Sequence, residues 1–108
     1  MAYGNFEQAV TEFSEAVRLV PTDEEGWQGL AEAHLAAHQE ELAMATYQKA
    51  IDQQPESVWP YFLRGYYFEK QKRFAEAERD YKVICRLVPG WTDGQDQLKR
   101  VQKLLHPN

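Results

Sequence analysis

His34 and His38 stand four residues apart, a spacing that brings two imidazoles to one side of a helix and can hold a metal ion. A zinc-protease helix also needs Glu directly after the first His as its base, but Leu35 stands there and no third ligand is evident. His34 is expected to pack and His38 to sit at a turn, so no metal site is expected. Cys85 is the one cysteine. A nucleophile needs a neighbouring base and a lowered pKa, and nothing around Cys85 indicates either, so it reads as a small buried apolar residue. Arg64 occupies an otherwise apolar position. Its stem is expected on the core with the guanidinium in water, and a pair with an acid such as Glu78 is the alternative. The basic clusters Lys70, Lys72, Arg73 and Lys99, Arg100, Lys103 read as solvated faces, the first interleaved with Glu69, Glu76 and Glu78. No catalytic constellation or cofactor motif emerges, so neither an enzyme nor a cofactor is expected.

The chain has 108 residues, enough for one small domain in which every apolar face needs a partner. At 44% hydrophobic and 27% charged it has the balance of a soluble globular protein. No apolar run approaches a membrane span, and Met1 to Glu15 contains no Lys or Arg that would begin a signal peptide. The formal charge of -5 argues against nucleic acid as a partner. A single cysteine gives no disulfide framework, which points to a reducing, cytoplasmic setting.

The elements that carry these residues recur. Ala9, Ala43 and Ala77 are spaced by 34, as are Phe13, Tyr47 and Tyr81, then Ala16, Ala50 and Ile84, then Pro21, Pro55 and Pro89. The first three columns fall at i, i+4 and i+7, one stripe of an α-helix. The alanine admits a neighbouring helix closely and the aromatic fills the space beside it. The proline cannot continue the helix and pushes the residue before it out of the α region. Three helices are predicted to end at these prolines, the first spanning Asn5–Val20 behind a turn at Gly4 and Phe6.

A second helix type precedes or follows them. Asp23 is predicted to cap a helix with Trp27, Leu30, Ala31 and His34 on one face, and Ser57 one with Tyr61, Gly65 and Phe68. Pro60 sits in that helix's first turn, where its missing N–H does no harm. A last helix, about Thr92 to Leu105, carries Leu98, Val101, Leu104 and Leu105, with Thr92 and Gln95 as a capping box. Six helices and no strands are expected.

This pattern resembles the tetratricopeptide repeat family, whose 34-residue helix pair reads W-x2-L-G-x2-Y, then A-x3-F, A and P. One copy matches with Trp27, Leu30, Ala31, Ala43, Tyr47, Ala50 and Pro55, the next with Tyr61, Gly65, Phe68, Ala77, Tyr81 and Pro89. Departures are His34 and Glu40 at aromatic places, Arg64 at a leucine place, Gln95 at the tryptophan place and Lys99 at a small-residue place. The resemblance implies an all-α, right-handed solenoid of stacked antiparallel helix pairs. It divides the chain into a half repeat (3–23), repeats at 24–57 and 58–91 and a capping helix at 92–106, a single domain read as a fragment of a longer protein.

In this family the first helices line a concave groove that binds ligands. The resemblance therefore places Trp59, Phe62, Leu63 and Tyr66 on the groove, with Glu69 beside them, as an aromatic wall, and Glu25, Gln28 and Glu32 as an acidic one. It implies protein–protein recognition of a peptide segment, in a scaffold or adaptor role, with a structural, self-assembling repeat as the alternative. Chaperone-binding members hold a terminal carboxylate with Lys, Arg and Asn. The matching places here, Glu25, Gln28, Gly29, Glu32, Trp59, Phe62, Leu63, Tyr66, Asp93 and Gln97, hold no base, so such a clamp is not expected. The first helix keeps Phe6, Val10, Phe13 and Val17 as a stripe, and a bare stripe of this kind is an expected site of self-association.

Overall fold

The structure is a computed structural model and describes residues 2–107. Six helices follow one another: α1 (Ala2–Leu19), α2 (Glu24–Ala36), α3 (Glu40–Gln53), α4 (Trp59–Lys70), α5 (Phe74–Leu87) and α6 (Thr92–Leu105). Among the described residues there is no strand. The chain forms two compact units, Met1–Ser57 and Val58–Asn108. In the first, α2 packs against both α1 and α3; in the second, α5 packs against both α4 and α6.

The prolines stop the helices as expected. α1, α3 and α5 each end two residues before Pro21, Pro55 and Pro89, and the residues preceding the last two, Gln54 (φ -141, ψ 80) and Val88 (φ -133, ψ 77), lie outside the helical region. The periodic columns form the cores. Ala43, Tyr47 and Ala50 are buried in the first unit, and Ala77, Tyr81 and Ile84 in the second. Asp23 caps α2 and accepts the Glu25 N–H at 3.2 Å.

Two expected caps do not form. Had Ser57 capped α4, one of the two amides it could accept would belong to Pro60, which has none. The helix starts one residue later from Val58, and the Ser57 N–H instead bonds the Gln54 carbonyl at 3.1 Å. α6 is capped at Trp91 without a side-chain bond, so Thr92 is already helical. Gln95 donates to the Pro89 carbonyl at 2.6 Å. It thereby repeats, two periods on, the bond from Trp27 Nε1 to the Pro21 carbonyl at 2.7 Å.

The turns after α2 and α4 share one geometry. The Gln39 N–H bonds the His34 carbonyl at 2.8 Å and the His38 N–H that of Leu35 at 3.0 Å. Arg73 to Phe68 at 2.8 Å and Lys72 to Glu69 at 2.9 Å repeat the pattern. These are Schellman closures, which need a left-handed residue just past the helix. His38 and Lys72 fill that place, both at φ 62. Gly4 belongs to the same column, yet α1 runs through it, contrary to the expected turn. Interior glycine costs only about 1 kcal/mol, which a long helix tolerates.

Since both left-handed positions carry a side chain, His38→Gly and Lys72→Gly should each stabilise the fold by about 0.5–1 kcal/mol. Urea denaturation of each variant checks this. A loss of stability would mean that the side chains hold the turns, not the helix-end bonds.

Candidate recognition surface

α4 has an inner and an outer side. Pro60, Gly65 and Phe68 are buried. Gly65 is there because space forbids more: a Cβ on it would lie 2.8 Å from Tyr81 Cε1. On the outer side Trp59, Leu63, Tyr66 and Lys70 follow at i, i+4, i+7 and i+11. Trp59 and Leu63 are half-buried and Tyr66 is 47% exposed. Lys70, expected only as part of a solvated face, holds its Nζ 5.2 Å from the centre of the Tyr66 ring.

Phe62 and Glu69 lie on the flank of α4 that meets α5 and α6. The Phe62 ring stands edge-on to Tyr81 at 6.3 Å and tilted on Trp91 at 5.9 Å. Glu69 accepts the Tyr81 hydroxyl at 3.0 Å and both Arg100 Nε and Nη2, at 2.8 and 2.6 Å. Arg100 is thus an inter-helix partner rather than the free surface charge expected. Burial alone would raise the Glu69 pKa, but the bonds from Arg100 and Tyr81 outweigh it and hold the carboxyl below its ordinary value. Burial, then the Glu69 carboxylate, push the Tyr81 phenol upward.

Arg64 does not snorkel as expected, and Glu78 is not its partner. It forks onto Asp80, Nε to Oδ2 at 3.0 Å and Nη2 to Oδ1 at 2.8 Å, with side chains only 18% and 6% exposed. Desolvation raises the Asp80 pKa despite this cation. A signal for the pair was in the period. Thirty-four residues earlier the same two columns hold Leu30 and Thr46, both buried. Two charges therefore replace two inward residues, and neither could be buried alone.

In the first unit, Glu25 and Glu32 of α2 are exposed and Gln28 is half-buried. His34 is buried, with Nδ1 2.9 Å from Gln39 Oε1, and His38 is exposed at its turn. No cluster of metal ligands occurs among the described residues. Cys85 is half-buried rather than fully enclosed. The α1 stripe divides. Phe13 and Val17 turn onto α2, against Gly29 and Gly26. Phe6 and Val10 line a cleft of about 200 Å³ with His34 and Leu42, and Val17 a neighbouring one of about 260 Å³.

Residues 1–64 match the family profile described as tetratricopeptide repeat. The chain belongs to the tetratricopeptide repeat family. It is 29% identical to Superkiller complex protein 3 of Mus musculus over 84 residues and to that of Homo sapiens over 83, covering 78% and 77% of this chain. The chain spans about 5% of the length of these curated relatives. Among solved structures, the Arabidopsis OM64 tetratricopeptide domain superposes with a TM-score of 0.67 at 26% identity, covering 94% of this chain and 86% of that one. The first such domain of Spaghetti (RPAP3), bound to an HSP90 peptide, gives 0.70 at 18%, over 94% and 81%. The Yersinia enterocolitica secretion chaperone SycD, in complex with a peptide of YopD, gives 0.69 at 21%, over 96% and 79%. The tetratricopeptide fold of the chain accords with all three. No helix among the described residues is long and apolar enough to cross a membrane.

Breaking the buried pair from one side leaves an uncompensated charge, so Arg64→Leu should cost about 3–5 kcal/mol. Arg64→Leu with Asp80→Thr recreates the pair of columns in the preceding repeat and should return stability to within about 1 kcal/mol of the parent. Chemical denaturation of the single and double variants closes the cycle, and additive losses would refute the coupling.

Glu69 titrates below its unfolded value. Its contribution is therefore complete above the ordinary carboxylate range and is lost as pH falls through the folded value. Asp80, raised, acts oppositely: its contribution declines as pH rises from the unfolded toward the folded value. Glu69→Gln should hence destabilise at pH 7, and the deficit should shrink below about pH 4. Melts at several pH values test this; a deficit constant with pH would place the loss in packing instead.

Proposed function

We propose that the chain is a protein-recognition module that holds a peptide segment of a partner protein and serves as a scaffold or adaptor. The observation that carries this reading is the outer stripe of α4. Trp59, Leu63 and Tyr66 lie outside the buried face of their helix, with Tyr66 47% exposed. Aromatic side chains in such a place supply large contact area at little entropic cost. The family is a protein-interaction fold, and two structurally similar domains are seen with peptides bound. The stripe takes apolar anchors of the ligand, Phe62 and Glu69 fixing the flank beside it. In the first unit, Glu25 and Glu32 favour ligands with Lys or Arg, with Gln28 as a neutral hydrogen-bonding group. A terminal carboxylate is not the proposed anchor, because the clamp positions lack cations. No catalytic step, cofactor, nucleic acid or membrane is assigned to the chain, and the proposed setting is the cytoplasm.

Peptides selected from a random display library against the intact chain test the reading. Trp59→Ala and Tyr66→Ala should each weaken a selected peptide by more than about 1 kcal/mol while the helical circular dichroism is unchanged. Peptides whose binding is indifferent to Trp59, Leu63 and Tyr66 would defeat the proposal.

A further inference from the structure

His34 stands between the two clefts of the first unit and lines both, with only 8% of its surface exposed. Its Nδ1 is 2.9 Å from Gln39 Oε1. That carbonyl oxygen accepts, so Nδ1 carries the proton, and Nε2 of the neutral ring is an acceptor. Nε2 makes no bond of its own among the described residues. No fully buried polar side-chain atom among them lacks a partner, so Nε2 is open to a cleft. Thirty-four residues on, the same column holds Phe68, and Arg73 of the following turn lies 4.6 Å from the centre of its ring. Gln39, in the column of Arg73, takes only one edge of the imidazole.

The cleft of about 260 Å³ has walls from all three helices of its unit: Val17 on α1, Trp27 and Leu30 on α2, and Leu42 and Ala45 on α3. Its buried donors are spent. Trp27 Nε1 donates to the Pro21 carbonyl at 2.7 Å, and the Thr46 hydroxyl donates to the Leu42 carbonyl at 2.8 Å. An occupant that satisfies His34 therefore needs an apolar body with a hydrogen-bond donor at its tip. Serine and threonine leave such a volume unfilled, and an indole carries its N–H on the side of the ring. A phenol meets both demands. At the mouth, Lys49 is exposed and in no ion pair among the described residues. We propose that this cleft receives a tyrosine side chain of a partner protein, with Asp or Glu next to it in that partner's sequence. The phenol O–H donates to His34 Nε2, the ring lies against Val17, Trp27 and Leu42, and the acid meets Lys49. The site is independent of the α4 stripe, so either reading stands if the other fails.

N-acetyl-tyrosinamide and acetyl-Glu-Tyr-amide are the probes, titrated into the intact chain and followed by heteronuclear NMR. Both should shift the amides from Leu42 to Lys49 and the His34 Nε2 resonance. N-acetyl-phenylalaninamide should bind at least about fivefold more weakly. Acetyl-Glu-Tyr-amide should bind more tightly than N-acetyl-tyrosinamide, and Lys49→Glu should remove that gain. His34→Phe installs the ring type of Phe68 and should erase the preference for tyrosine over phenylalanine. Ala45→Trp, at an exposed position, should block the cleft and leave the helical circular dichroism unchanged. Five results would overturn the proposal: no shift at roughly 10 mM probe, equal binding of the tyrosine and phenylalanine probes, no gain from the added glutamate, binding indifferent to Ala45→Trp, or shifts confined to α4. The last would assign the probes to the stripe of the second unit.

Discussion

Tyr81 lies against α4 because Gly65 leaves it room. Most of the second unit depends on that contact. It brings the Tyr81 hydroxyl to Glu69, and Glu69 in turn gathers Arg100 from α6. It sets Phe62 edge-on to the Tyr81 ring, with Trp91 behind. It also places Asp80, one residue earlier on α5, where Arg64, one residue earlier on α4, can reach it. A close helix approach at one small residue thus fixes an aromatic cluster and two ion pairs. The outer side of α4 is whatever these neighbours leave uncovered.

Helix positions were legible because they depend on local chemistry. A proline ends a helix wherever it stands, and an aromatic four residues after a small residue marks one face. The failures arose where one group needed a particular partner. Ser57 looked like a cap, but one of the two amides open to it is that of Pro60, which has none. Gln95 looked like half of a capping box, yet its column is that of Trp27, and it makes the same bond to the carbonyl of a proline. Gly4 looked like a turn, but it lies within α1.

The surface of α4 shows the same limit. Periodicity groups Trp59, Phe62, Leu63, Tyr66 and Glu69 on adjoining rows of one helix. It does not say which row the neighbouring helices cover. α5 and α6 take the flank with Phe62 and Glu69, and the row with Tyr66 stays outward. Arg64 and Asp80 were hidden for a related reason. Each is an oddity in its own column, and only the juxtaposition of the two columns makes them a pair.

Repetition carries a hazard that the Arg64–Asp80 pair reduces. Helices built on shared columns can join the wrong partner while the chain folds, exchanging α2 for α4 within one molecule or between two. Were every repeat to carry Leu and Thr in these two places, such exchanges would cost little. With the ion pair present, α5 laid on α2 buries Asp80 against Leu30, and α3 laid on α4 buries Arg64 against Thr46. Both errors strand a buried charge without its counter-ion. The pair therefore labels its repeat, so that each second helix recognises its own first helix among near-copies.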